Sequence, residues 1–237
     1  MVLENYRKVR SEIDDVCLKY GRKPEDVLLL PVSKTKPVEM IRELYDAGVR
    51  DFGENYVQEL TQKIEENNSL VESRPIRWHM IGHLQKNKVK YLIGHTALIH
   101  SVDSVPLAAQ IEKEAAKKEL TVRILLEVNV AREESKWGFD PDQVLPAARE
   151  ISAFPHVRVL GLMTSAPITD QPETNRPYFR RLRTLSQELA AGHLIPADDP
   201  EFICPVLSMG MTGDFEVAVE EGATLVRVGT AIFGKRA

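Results

Sequence analysis

Cysteine is almost missing from this chain of 237 residues, which holds two, Cys17 and Cys204. A pair so far apart gives no disulfide framework, so both thiols read as core fillers of a protein from a reducing cytoplasm. No apolar run approaches the ~20 residues that would span a bilayer, which argues against a membrane partner. Charge of one sign is missing too. With 31 basic and 35 acidic residues the net charge is −4, leaving no basic surplus to hold nucleic acid. The opening segment MVLENYRKVR is charged and amphipathic, and so is not expected to be a signal peptide. There is no low-complexity tract and no linker, and residues 1–237 read as a single domain.

What is present is alternation. Val2, Tyr6, Val9, Ile13, Val16, Cys17 and Tyr20 recur at helical spacing, and Gly21 closes that first helix. Strand patterns then fall at 27–34, 50–54, 76–82, 97–102, 121–129, 157–164, 205–209 and 224–230. Between them lie helical patterns at 38–47, 55–67, 84–93, 104–118, 140–152, 174–191 and 214–221. Regular alternation predicts a parallel sheet with helices outside. Eight strands in a chain of this size predict a closed (β/α)8 TIM barrel of the α/β class. The sequence stops shortly after the last strand, so no helix is expected to follow it. The N-terminal helix is the candidate for the empty place in the ring. An open doubly wound sheet would prefer a Gly-rich first turn, and here that turn is Ser33-Lys34-Thr35-Lys36-Pro37.

In a barrel, function gathers at the C-terminal ends of the strands. The residues expected there are Lys34, Asn55, His79 to His83, Asp103, Asn129, Met163 to Ser165, Ser208 to Thr212 and Arg227 to Thr230. Lys34 ends a buried strand, with Pro37 suited to the first turn of the helix beyond. An amine held in a partly dry site loses pKa and becomes able to attack a carbonyl. A solvated lysine at a strand end is the plainer reading. Ser208-Met209-Gly210-Met211-Thr212-Gly213-Asp214 runs from strand seven into a helix start, which suits either an anion site or an ordinary turn capped by Thr212. In Val226-Arg227-Val228-Gly229-Thr230, the arginine needs a partner if it points inward. Strands seven and eight are also the usual phosphate position in this architecture. A carbonyl-reactive lysine, a phosphate cup and an inward arginine together describe a pyridoxal phosphate site.

Five blocks make the match specific: Val32 to Pro37, Phe52 to Glu59, Trp78 to Lys88, Ser208 to Met211 and Val226 to Gly234. In this order they resemble the pyridoxal phosphate homeostasis protein family. The resemblance implies a barrel similar to the N-terminal domain of alanine racemase, with pyridoxal 5'-phosphate as cofactor. It implies that Lys34 is the Schiff-base lysine and that Asn55 lies beside the ring. Ser208, Met211, Gly229 and Thr230 would surround the phosphate, and Arg227 would face the pyridine nitrogen. Thr212 stands where the family more often has serine, and a hydroxyl is kept. The implied role is vitamin B6 homeostasis by a cytoplasmic carrier with little or no turnover and no catalytic residue. Apoenzymes that need the cofactor, or small amino acids, are the further partners it implies, and a monomer is expected.

Two rivals remain at this level: an amino-acid racemase using the same cofactor, and a cofactor-free Schiff-base aldolase with a sugar phosphate in the cup. Lys36 is the rival to Lys34, but it lies in the loop just before Pro37. His79 and His83 are four apart, yet 78–82 reads as a strand and position 80 is Met, so no metal site is expected.

Overall fold

Branched and apolar residues at buried positions make eight short parallel strands, described in a computed structural model that covers residues 1–67 and 75–235. They are β1 (Leu28–Pro31), β2 (Asp51–Glu54), β3 (Arg77–Met80), β4 (Leu98–Val102), β5 (Val122–Glu127), β6 (Val157–Met163), β7 (Val206–Ser208) and β8 (Leu225–Val228). Residues 68–74 and the last two positions of the expected single domain lie outside the described residues. The ladder runs β1-β8-β7-β6-β5-β4-β3-β2. Its two ends meet where Val32 bridges Gly53 and the Ser33 N–H donates to the Gly53 carbonyl at 3.0 Å. The expected barrel is therefore present, nearly closed, with its seam beside Lys34.

The outer layer is α1 (Val2–Lys19), α2 (Val38–Asp46), α3 (Val57–Asn67), α4 (Val105–Ala116), α5 (Val144–Ile151), α6 (Arg176–Ala191) and α7 (Phe215–Glu220). Apolar residues on the helix faces meet the outward side chains of the strands in one core. A second, smaller core fills the barrel itself, built from Leu30, Leu98, Leu125, Leu160 and Leu225, with Phe202 beneath. Both cysteines are free; Cys17 is fully buried and Cys204 packs against the inner core.

α1 takes the empty place in the ring, packed against both α2 and α7. Ile13, on its inner face, is fully buried, worth about 1.5–3 kcal/mol for one side chain. Just past the helix, Arg22 donates to the carbonyls of Val219 (2.6 Å) and Ala223 (2.8 Å), tying this end to the segment leading into β8.

Three details differ from the sequence pattern. A single helical turn, α8 (Thr230–Phe233), does follow β8. It is too short to serve as an outer helix and packs on α1, where the Asn5 amide donates to the Ile232 carbonyl at 3.0 Å. The pattern at 84–93 winds as a 3-10 helix, Lys86–Tyr91, which buries Val89, with Leu84, Leu92 and Ile93 buried on either side of it. Pro37 stands one place before α2 with extended backbone, φ −69° and ψ 154°, rather than in its first turn. Among the described residues no helix is long and apolar enough to cross a membrane, and no group of three side chains could hold a metal.

Candidate functional site

Lys34 follows β1, and the residues on either side of it are fixed by one buried ionic cluster. Ser33 is fully buried; its hydroxyl donates to Glu54 Oε1 at 2.6 Å and its carbonyl accepts from Lys63 Nζ at 2.7 Å. The same ammonium reaches Glu54 and Glu59, each at 2.7 Å. Thr35 has a left-handed backbone, φ 59°, and its N–H donates to Glu59 Oε1. Burial pushes the Glu54 carboxyl above its ordinary range, against the pull of Lys63 and Ser33. With its neighbours clamped, Lys34 is presented to a cavity of about 430 Å³ at the strand ends. Lys36 goes the other way, donating to the Lys235 carbonyl at 2.9 Å.

The opposite wall is the turn after β7. Gly210 has φ +94°, and a Cβ there would lie 2.6 Å from the Ala218 Cβ, so only glycine lets the chain turn this close to α7. Asp214, not Thr212, occupies the N-cap position of α7, and its carboxylate accepts from the Met211 N–H at 2.7 Å. Across a narrow gap, β8 ends and Gly229 starts α8. Among the described residues, the backbone N–H groups of Thr212, Gly213, Gly229 and Thr230 donate to no protein acceptor. All four residues line the cavity, and Thr230 adds a hydroxyl. Gly213 has open space where a side chain would be.

Arg227 enters from the barrel interior, 4% exposed. It donates to the carbonyls of Ser208 (2.7 Å) and Thr164 (2.8 Å) and to the Ser208 hydroxyl (2.7 Å). Among the described residues it makes no ion pair, which is rare for a buried guanidinium. Burial lowers it to about 10, opposed by the fields of Glu127 and Asp214, so it stays charged at neutral pH. Glu127, at the end of β5, is pushed up to about 7, mainly by burial and then by Asp103.

Of the sequence-derived site residues, Lys34, Asn55, Met211, Arg227, Gly229 and Thr230 line this cavity together. Ser208 does not. It is fully buried under the floor, bonded to Arg227 and to His100 Nδ1 at 2.9 Å, and faces no phosphate-sized space. Asn55 comes close because Gly82 leaves room: a Cβ on that glycine would lie 2.2 Å from the Asn55 carbonyl. Asn129 is elsewhere, its side chain spent on its own loop through Glu133 and Lys136. Asp103 pairs with His83 at 3.2 Å, and His83 stacks on Trp137, while His79 is buried inside the barrel. Residues the sequence reading missed are Glu54, Glu59 and Lys63 around the lysine, and Asp214 with Asn175 behind the turn, where the Asn175 amide donates to Asp214 Oδ2 at 2.8 Å.

The donor set suits pyridoxal 5'-phosphate. An amine would meet the aldehyde, unspent N–H groups and a hydroxyl would meet the phosphate, and a cation would meet a ring nitrogen. Asn55 Oδ1 is buried without a hydrogen-bond partner, an orphan that a ligand hydroxyl would satisfy.

Comparison with known proteins agrees in extent. The family model for the alanine racemase N-terminal domain matches residues 20–237. A pyridoxal phosphate homeostasis protein from Aquifex aeolicus is 45% identical over 98% of this chain and 97% of its own. The human protein of that name is 40% identical over 91% of this chain and 81% of its own. PipY from Synechococcus elongatus, solved with PLP bound, superposes with a TM-score of 0.82 at 34% identity, covering 99% of this chain and 100% of that one. Alanine racemase from Clostridium difficile shares the fold, with a TM-score of 0.75 at 14% identity, and this chain spans 60% of it.

Proposed function

This chain belongs to the pyridoxal phosphate homeostasis protein family, and on that premise we propose that it binds pyridoxal 5'-phosphate at Lys34 to hold and buffer the cofactor. One observation carries the reading. The lysine, the four unspent N–H groups and the unpaired arginine open into a single cavity. When bound, the cofactor supplies an aldehyde that the Lys34 amine can hold covalently. Thr230, Gly229 and the Met211–Gly213 turn grip the phosphate. Asn55 lies beside the ring. Arg227 faces the ring nitrogen and disfavours its protonation, since a fixed cation opposes a second positive charge.

Little turnover is expected from this wall. Racemisation needs a proton taken from one face of a substrate and returned to the other. The titratable groups lining the cavity are Lys34, Asp214 and Arg227. Asp214 is engaged by Asn175 and the Met211 N–H, and Arg227 stays protonated. Lys34 is left as the one base. We infer a monomeric cytoplasmic carrier that releases its cofactor to apoenzymes requiring it.

The test begins with the absorbance of the purified protein loaded with pyridoxal 5'-phosphate. Borohydride reduction and peptide mass spectrometry should then find the adduct on Lys34. An adduct on Lys36, or no visible band, overturns the reading. Deuterium exchange at the α-carbon of amino acids, with Lys34→Ala as blank, tests the rival. Lys34-dependent inversion above about 1 per second would make the protein a racemase.

A further inference from the structure

Two histidines inside the barrel belong to no part of the site described so far. His79 on β3 and His100 on β4 are both fully buried, beside the leucines of the inner core and the Phe202 ring. A buried imidazole is costly unless both nitrogens are bonded. Here all four are. His79 Nε2 is 2.9 Å from Asp51 Oδ1, His79 Nδ1 is 2.9 Å from His100 Nε2, and His100 Nδ1 is 2.9 Å from Ser208 Oγ. The series continues to Arg227 Nη1, 2.7 Å from the same hydroxyl. It thus crosses the barrel from Asp51, near its lower rim, to the floor of the cavity.

The carboxylate at one end, with a single proton on each ring, dictates the direction of every bond. Arg77 clamps Asp51 through Nε–Oδ1 (2.8 Å) and Nη2–Oδ2 (2.9 Å), and with His79 holds its carboxyl below the usual range despite burial. A carboxylate only accepts, so His79 Nε2 donates to it. His79 Nδ1 then accepts from His100 Nε2–H. Burial above all holds His100 well below the ordinary histidine range, so it is neutral. Its Nδ1 accepts the Ser208 hydroxyl proton, which leaves the Ser208 oxygen lone pairs for Arg227. Reversing the direction would require a protonated Asp51 or a second proton on His79.

We propose that Asp51, His79, His100 and Ser208 form a one-directional hydrogen-bond wire that holds Arg227 in place against the cofactor ring. His79 and His100 are positioning residues of that site. The inference rests on the reading that Arg227 faces the ring nitrogen. With its proton committed to His100, the Ser208 oxygen presents a fixed acceptor to Nη1. Without His100 the hydroxyl is free to rotate, and the acceptor that Nη1 meets is no longer fixed.

The test uses nitrogen NMR. In the cofactor-free wild-type protein at pH 7, both histidines should show a protonated Nε2 and a bare Nδ1; another tautomer, or a charged ring, overturns the wire without any variant. The protein is then loaded with pyridoxal 5'-phosphate labelled with ¹⁵N in the ring. Arg227→Lys should move the ring-nitrogen resonance, and Ser208→Ala, His100→Asn and Asp51→Asn should move it in the same direction by a smaller amount. Loss of thermal stability without that movement is what a merely structural role would give. Movement with Arg227→Lys alone overturns the wire. No movement with Arg227→Lys, while the histidine resonances are as expected, overturns the facing of Arg227 to the ring, and the inference falls with it.

Discussion

Lys63 Nζ lies 2.7 Å from the carbonyl oxygen of Ser33, the residue immediately before Lys34. A side chain on α3 thus grips the backbone just beyond β1, beside Lys34. Lys63→Met would leave Glu54 buried without its counter-ion, at a cost of about 3–5 kcal/mol. Denaturant unfolding should show that loss, and adding Glu54→Gln should recover part of it. Strictly additive losses would mean the pair is not coupled. The borohydride-trapped adduct at Lys34 should also form more slowly in Lys63→Met.

Thr230→Ala removes one hydrogen bond to a charged group, worth roughly 1.5–3 kcal/mol. Affinity for pyridoxal 5'-phosphate should fall about ten- to a hundredfold. Affinity for unphosphorylated pyridoxal should barely change. Equal losses for both ligands would assign Thr230 to the ring or to folding instead.

Two glycines in one turn should behave oppositely. Gly210→Ala places a Cβ 2.6 Å from Ala218 in a left-handed backbone, and should cost about 2–5 kcal/mol of stability. Gly213→Ala meets nothing within 4 Å, so the fold should tolerate it. Its methyl group borders the cavity, and cofactor affinity should be the property that falls. Thermal melts and equilibrium titrations of the two variants separate these outcomes.

Glu127 makes stability depend on pH. Its carboxyl is raised to about 7 in the folded chain, so between its ordinary value of 4.5 and 7 the native state binds more protons than the unfolded state. Its contribution to stability is therefore greatest at low pH and declines as pH rises through that window, by on the order of 1–3 kcal/mol. Glu127→Gln keeps the neutral form at every pH, so the difference between the two unfolding curves should grow from pH 5 to pH 7. A constant difference would show that Glu127 titrates normally. Glu54 is raised in both proteins and cancels in the comparison.

The fold was legible because each strand is a short apolar run and each helix has its own stripe; both are local signals. Lys34, Gly229 and Thr230 were legible because strand ends converge in a barrel whatever the details. Ser208, expected at the phosphate, does not line the cavity, and there is a physical reason. Its hydroxyl looks available in sequence, and the partner that engages it, His100, is on a strand 108 positions away. Nothing local marks Lys63 within the helical pattern at 55–67, and only the packing of α3 against β2 reveals it as buried. His79 and His83 suggested a pair by spacing. The strand ends between them, so one points into the barrel and the other stacks on Trp137 at its mouth.

The place α1 takes in the ring sets an order of events during synthesis. Its inner face, with Val9, Ile13 and Cys17, is made first, while two of the helices packed on α1, α7 and α8, are made near the end. At ~5–20 residues per second, that face waits roughly 10–40 s for its partner. Until then the first helix of the chain offers an apolar surface to whatever is nearby. Gly229 and Thr230 join the cavity only when the last strand has left the ribosome, so a stalled or shortened chain exposes Lys34 before the opposite wall of its cavity exists.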